Sequence, residues 1–97
     1  MTKLYRITPR ARDDLIEIAR YTSNKWGSQQ RNRYLKNLEL RFLWLADNPH
    51  LGKERQDIHG GYYCYPQGEH LIFYLLQPQG IDIIGIPHQR RDVVNYF

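Results

Sequence analysis

Two apolar runs late in the chain set its pattern: His70-Leu71-Ile72-Phe73-Tyr74-Leu75-Leu76 and Ile81-Asp82-Ile83-Ile84-Gly85-Ile86-Pro87-His88. Each has the length and the β-branched and aromatic content of a strand. Gln77-Pro78-Gln79-Gly80 between them reads as a hairpin turn. Both runs are apolar at odd and even positions alike, so both faces of the hairpin need cover. The helices of so short a chain can cover one face, and the other face is expected to meet a partner.

Upstream, Leu4-Tyr5-Arg6-Ile7 is a short strand. Thr8-Pro9 opens a helix, with Thr as N-cap and Pro at the first helical position. Asp13 and Asp14 lie early enough to favour its positive end. Ala11, Leu15, Ile18, Ala19, Thr22 and Trp26 form a buried stripe at helical spacing. Gly27-Ser28 ends this helix and starts a second, Gln29 to Asp47, with Ser28 as its cap. Tyr34, Leu35, Leu38, Phe42 and Leu45 share one face of it. Leu40, Leu43 and Trp44 project elsewhere, either as ordinary surface apolars or as a docking patch. Lys53 to Gly61 is polar and expected to be mobile. Tyr62-Tyr63-Cys64-Tyr65 is a further strand, turned by Pro66-Gln67-Gly68-Glu69 into His70. The pattern predicts an α+β fold in two layers, β-α-α-β-β-β. A helical hairpin packs on one face of a mainly antiparallel sheet.

The 97 residues suit one domain, 1–97. Fourteen basic against ten acidic residues give a net charge of +4, a mild bias towards acidic partners. Eight tyrosines exceed what a small core needs and suit a surface that becomes covered. One cysteine, Cys64, excludes an internal disulfide framework and is expected to be structural. With no signal-like or membrane-length apolar run, the expected location is the cytoplasm.

The four histidines form no spaced metal motif, and no cofactor loop is present, so neither metal nor cofactor is expected. The remaining cluster is His88-Gln89-Arg90-Arg91-Asp92. An imidazole can move protons and guanidinium groups can stabilise a phosphorane, so His88, Arg90 and Arg91 could cut RNA, with Lys53, Arg55 and Tyr96 in support. The plainer reading is a charged cap in which Arg90 or Arg91 pairs with Asp92 or an acidic partner.

The pattern resembles the ParE branch of the ParE/RelE toxin superfamily along nearly the whole chain. The resemblance rests on Pro9-x-Ala11-x-x-Asp14-Leu15-x-x-Ile18 with Tyr21 and Trp26-Gly27. It continues through Leu38, Phe42-x-x-Leu45-Ala46-x-x-Pro49-x-x-Gly52, Gly61-Tyr62, His70-x-Ile72-Phe73-Tyr74, Ile81-x-Ile83 and His88-x-Arg90-x-Asp92. It implies a bacterial type II toxin that is not an enzyme but poisons DNA gyrase. A ParD-like antitoxin would neutralise it and would carry the contact with operator DNA. On this reading the antitoxin is expected on Leu40, Trp44, Tyr63, Tyr65, Ile72, Tyr74 and Arg90, and the target on His88, Arg90 and Arg91. The RelE-like alternative is a ribosome-dependent mRNA endoribonuclease with His88, Arg90 and Arg91 catalytic. Against it, Leu75, Leu76 and Gly85 stand where an RNA-facing arginine is expected. A third reading is an inactive homologue acting only as co-repressor.

Overall fold

A computed structural model describes residues 4–97. Strand β1 (Leu4–Ile7) leads into helices α1 (Pro9–Trp26) and α2 (Ser28–Asp47), and a 3-10 turn follows at Pro49–Leu51. Strands β2 (Lys53–Glu54), β3 (Tyr62–Gln67), β4 (His70–Gln77) and β5 (Gly80–Gly85) come next, then a short helix α3 (Val93–Tyr96). The sheet order is β1-β5-β4-β3-β2. Neighbours from β5 to β2 are antiparallel, and β1 joins β5 in parallel. The expected α+β architecture is present: the helical hairpin lies on one face of a five-stranded, mainly antiparallel sheet.

The helix boundaries follow local chemistry. The Thr8 hydroxyl accepts from the Ala11 amide at 3.4 Å and donates to the Ile83 carbonyl at 2.9 Å, tying the helix start to β5. Gly27, at φ +90°, closes α1 by donating to the Ser23 carbonyl at 2.9 Å. Gly27 is also the N-cap of α2, so Ser28 does not cap it as expected but is already its first residue. Asp14 does not serve the helix start either. Its carboxylate accepts from the Ile86 amide at 2.8 Å and from the Tyr96 hydroxyl, joining α1 to the sheet and the tail.

The core lies between hairpin and sheet. Ala11, Ile18, Leu38, Phe42, Leu45 and Ala46 meet Ile72, Tyr74, Ile81 and Ile83. Trp26, expected in this stripe, is 60% exposed at the end of α1. Tyr74 is fully buried. Its hydroxyl donates to the Pro49 carbonyl at 2.8 Å and accepts from the Gly52 amide at 3.0 Å, and burial pushes the phenol up to about 12. One side chain thus fixes the loop that returns the chain from α2 to the sheet.

The far face is not left bare. Phe97 packs against Phe73 at 4.9 Å between ring centres and against Tyr62 at 5.1 Å. A Cβ on Gly85 would lie 2.8 Å from the Tyr96 ring, so only glycine admits the tail this close. Arg10 lies over the Tyr96 ring at 4.0 Å and donates to the Tyr96 carbonyl. Phe97 therefore covers Phe73, while Leu71 and Leu75 stay half-buried. The segment expected to be mobile is hydrogen-bonded: the Arg55 amide donates to the Tyr62 carbonyl at 2.7 Å, and the Arg55 side chain pairs with Asp57 at 3.0 Å.

Where β4 begins, His70 is buried and bridged in antiparallel fashion to His88. Its Nδ1 lies 2.6 Å from the Tyr34 hydroxyl, which accepts from the Glu69 amide at 3.0 Å. Burial first, then the neighbouring His88, pushes its pKa down to about 4. His70 is therefore neutral near pH 7 and shares a short hydrogen bond with Tyr34, whose hydroxyl also donates to the Gln67 carbonyl at 3.3 Å.

Two outcomes follow. Tyr74→Phe leaves the Gly52 amide and the Pro49 carbonyl without their partner, at a cost of about 1–2 kcal/mol. Urea unfolding should show a lower midpoint at unchanged slope. The folded site resists protonation of His70 below its ordinary 6.5, so the associated stability is intact above that value. It should be lost as pH falls from 6.5 towards 4, by about 3 kcal/mol, and His70→Asn should flatten this window in unfolding curves.

Candidate functional site

The loop after β5 is built by backbone bonds on both sides. The Leu71 amide donates to the Pro87 carbonyl at 2.9 Å and the Gln89 amide to the Glu69 carbonyl at 2.9 Å. The Gln89 side chain donates to the Gly68 carbonyl at 2.6 Å. These bonds pin His88 beside His70, with ring centres 5.4 Å apart. The Arg90 amide donates to His88 Nδ1 at 3.1 Å, so the neutral ring carries its proton on Nε2. Arg90 and Arg91 are exposed, and Arg91 leans over the Tyr96 ring at 5.0 Å. Asp92 pairs with neither as the plainer reading expected. It caps α3, accepting from the Val94 amide at 3.2 Å and from Asn95 at 2.7 Å.

His88 and Arg91 line a cleft of about 210 Å³ with Asp14, Glu17, Tyr21 and His70. The cleft mixes carboxylates with cations. Glu17 faces any incoming phosphate, and a carboxylate beside a phosphodiester raises the cost of bringing it in. Of the residues expected to help RNA chemistry, Arg55 is held by Asp57 and Lys53 lies in the edge strand β2, while Tyr96 adjoins the cleft but has its hydroxyl engaged by Asp14. Among the described residues no group of three or more His, Cys, Asp or Glu could hold a metal. Among them, too, no helix is long and apolar enough to cross a membrane.

The residues expected to meet an antitoxin divide. Leu40 is 50% exposed on α2, and Arg90 is exposed on the loop. Trp44 lies edge-on to Tyr65 at 5.2 Å with Arg41 over both rings, closing the β3 side of the sheet. Tyr63 stacks on Tyr74 at 5.7 Å. Ile72 and Tyr74 have no exposed surface and sit in the core. The helix-facing side of β3 and β4 is interior, so these strand positions reach a partner only partly or not at all.

A different surface is open. Leu15, Ile16 and Ala19 of α1, Leu35 and Phe42 of α2, and Tyr5 and Ile7 of β1 line an apolar groove of about 320 Å³ rimmed by Arg12 and Glu39. Ile16 is 51% exposed there. Strand β1 is an edge. Leu4 and Thr8 donate to the Gln79 and Ile83 carbonyls of the β5 side, at 3.0 and 3.1 Å. By alternation, the peptide groups of Tyr5 and Ile7 point away from the sheet. The sequence carried one sign of this groove, Ile16 lying outside the buried stripe. The edge could not be read without the strand order.

Residues 5–93 match the family described as "ParE toxin of type II toxin-antitoxin system, parDE". The chain is 35% identical over 94 residues to "Toxin ParE1" of Mycobacterium tuberculosis, covering 96% of each. It is 31% identical over 87 residues to "Toxin ParE1" of Caulobacter vibrioides, covering 90% of each. Its fold matches a chain of the structure titled "Chromosomal ParDE TA system from P. aeruginosa" at TM-score 0.75 and 15% identity, over 90% of this chain and 96% of that one. The family match spans β1 through the start of α3, and with it both the groove and the basic loop; the chain belongs to the ParE toxin family of type II toxin–antitoxin systems.

Proposed function

We propose that this toxin inhibits DNA gyrase without acting as an enzyme and is neutralised by a ParD-like antitoxin. The family match from residue 5 to residue 93 carries the reading. His88, Arg90 and Arg91 are the proposed target contacts, because two exposed guanidinium groups stand beside an imidazole on a loop held firmly by the sheet. Cleavage of mRNA by the same three residues is disfavoured by Asp14 and Glu17 in the adjoining cleft and by the engagement of Arg91 with Tyr96.

The antitoxin's seat is proposed in the groove rather than on the inner strands. An amphipathic segment can lay an apolar face on Leu15, Ile16, Leu35 and Phe42, and an extended stretch can hydrogen-bond the open edge of β1. A carboxylate on that segment would meet Arg12 at the rim, in keeping with a chain of net charge +4.

Purified gyrase, relaxed plasmid, ATP and the free toxin provide the test. The expected result is trapped linear plasmid or lost supercoiling, reversed by antitoxin. Arg90→Glu with Arg91→Glu should raise the toxin concentration required about tenfold, equivalent to about 1.4 kcal/mol. Unaffected gyrase with a collapse of translation would favour mRNA cleavage, and no effect on either would favour a co-repressor. Separately, Ile16→Glu should weaken antitoxin binding at least about tenfold in calorimetry. Leu43→Ala, exposed on α2 outside the groove, should leave it unchanged.

A further inference from the structure

The turn of the helical hairpin lies outside the groove and adjoins the basic loop through Tyr21 and Lys25. Between Glu17 and Glu39 the chain holds five basic residues, Arg20, Lys25, Arg31, Arg33 and Lys36, and no carboxylate. That excess of five exceeds the net charge of the whole chain, +4. Lys36 is drawn to Glu39 at 3.5 Å, and the other four lie within about two helical turns of Gly27.

Two large rings stand out on the same turn. Trp26 is 60% exposed and Tyr21 50%. Lys25 Nζ lies 5.4 Å from the centre of one ring and 5.5 Å from the other, and donates to the Tyr21 hydroxyl at 3.0 Å. Single exposed aromatics are ordinary. Here the neighbours are the exposed amides of Asn24, Gln29, Gln30 and Asn32 rather than aliphatic side chains. An apolar protein patch would have the opposite surroundings. Basic side chains, aromatic faces and amides together form a surface for unpaired bases and their phosphates.

The surface is continuous. Trp26 and Tyr21 line one cleft with Gln30 and Tyr34, and Tyr21 and Lys25 line the next with His88 and Arg90. Glu69 lines both clefts and marks the side that a phosphate chain would avoid. We propose that this turn binds single-stranded nucleic acid, with Lys25, Arg31 and Arg33 on the phosphates and bases stacked on Trp26 and Tyr21. This binding needs no gyrase and is a property of the toxin chain alone.

The test is fluorescence anisotropy of a labelled oligothymidylate of about 15 nucleotides, a single-strand site length, with the full toxin chain. Saturable binding should weaken about tenfold or more between about 50 and 200 mM salt. Trp26→Ala should weaken it about tenfold. Arg31→Ala with Arg33→Ala should lower the log–log salt slope by about 1.4. These positions lie outside the core, and unchanged unfolding midpoints will confirm that the variants fold. No binding at the lower salt would overturn the proposal. So would tighter binding of the matched duplex, or indifference to Trp26→Ala. Capture of polyglutamate in place of the oligonucleotide would assign the turn to an acidic protein instead. A failed gyrase assay would leave this result standing, since gyrase is absent from it.

Discussion

Strand β4 is apolar on both faces and lies near the middle of the sheet, so it needs cover twice. The helical hairpin supplies one layer, over Ile72 and Tyr74. The chain's last residues supply the other, with Phe97 on Phe73 and Tyr96 against Gly85. Polar ties hold these residues as well. Asp14 receives both the Tyr96 hydroxyl and the Ile86 amide, and Arg10 holds the Tyr96 ring and carbonyl. Desolvating that carboxylate is offset by two donors aimed at it.

The same demand places the basic loop. His88 to Arg91 lies between the end of β5 and the tail, held by the Gln89 amide on Glu69, the Gln89 side chain on Gly68 and the adjoining Pro87 carbonyl on Leu71. Helix α1 then divides the surface. Leu15, Ile16 and Ala19 face the groove, whereas Asp14, Glu17 and Tyr21 face the loop's cleft. These sets fall on opposite sides of the helix. A partner seated only in the proposed groove would leave the loop open, and covering the proposed target contacts would take a segment long enough to pass around α1.

Much of the fold was legible because its signals are local. Thr8-Pro9 begins a helix, Gly27 breaks one, and the strand runs are rich in β-branched and aromatic residues. The parity of β3 and β4 was not legible: when both faces are apolar, alternation cannot say whether Tyr63, Tyr65, Ile72 and Tyr74 point in or out. They point towards the helices. Val93 to Phe97 is too short to carry a period, so its role as the second cover was invisible, and with it the reason for Gly85. The basic cluster at His88, Arg90 and Arg91 could be read from composition, but the carboxylates beside it come from α1, over seventy residues away in sequence. The groove needed the position of β1 in the sheet, which depends on a long-range parallel pairing.

That pairing has a consequence for how the protein comes into being. Leu4 pairs with Gly80 and Ile7 with Ile83, so the first strand waits for nearly the whole chain before it finds its place. Loop closure over such a span is slow relative to forming the helical hairpin or the β3–β4–β5 meander. During synthesis the hairpin can form on the emerging chain, but the edge of β1 and the wall it gives to the groove exist only after β5 has left the ribosome. A growing chain therefore has no completed groove to offer until that pairing forms.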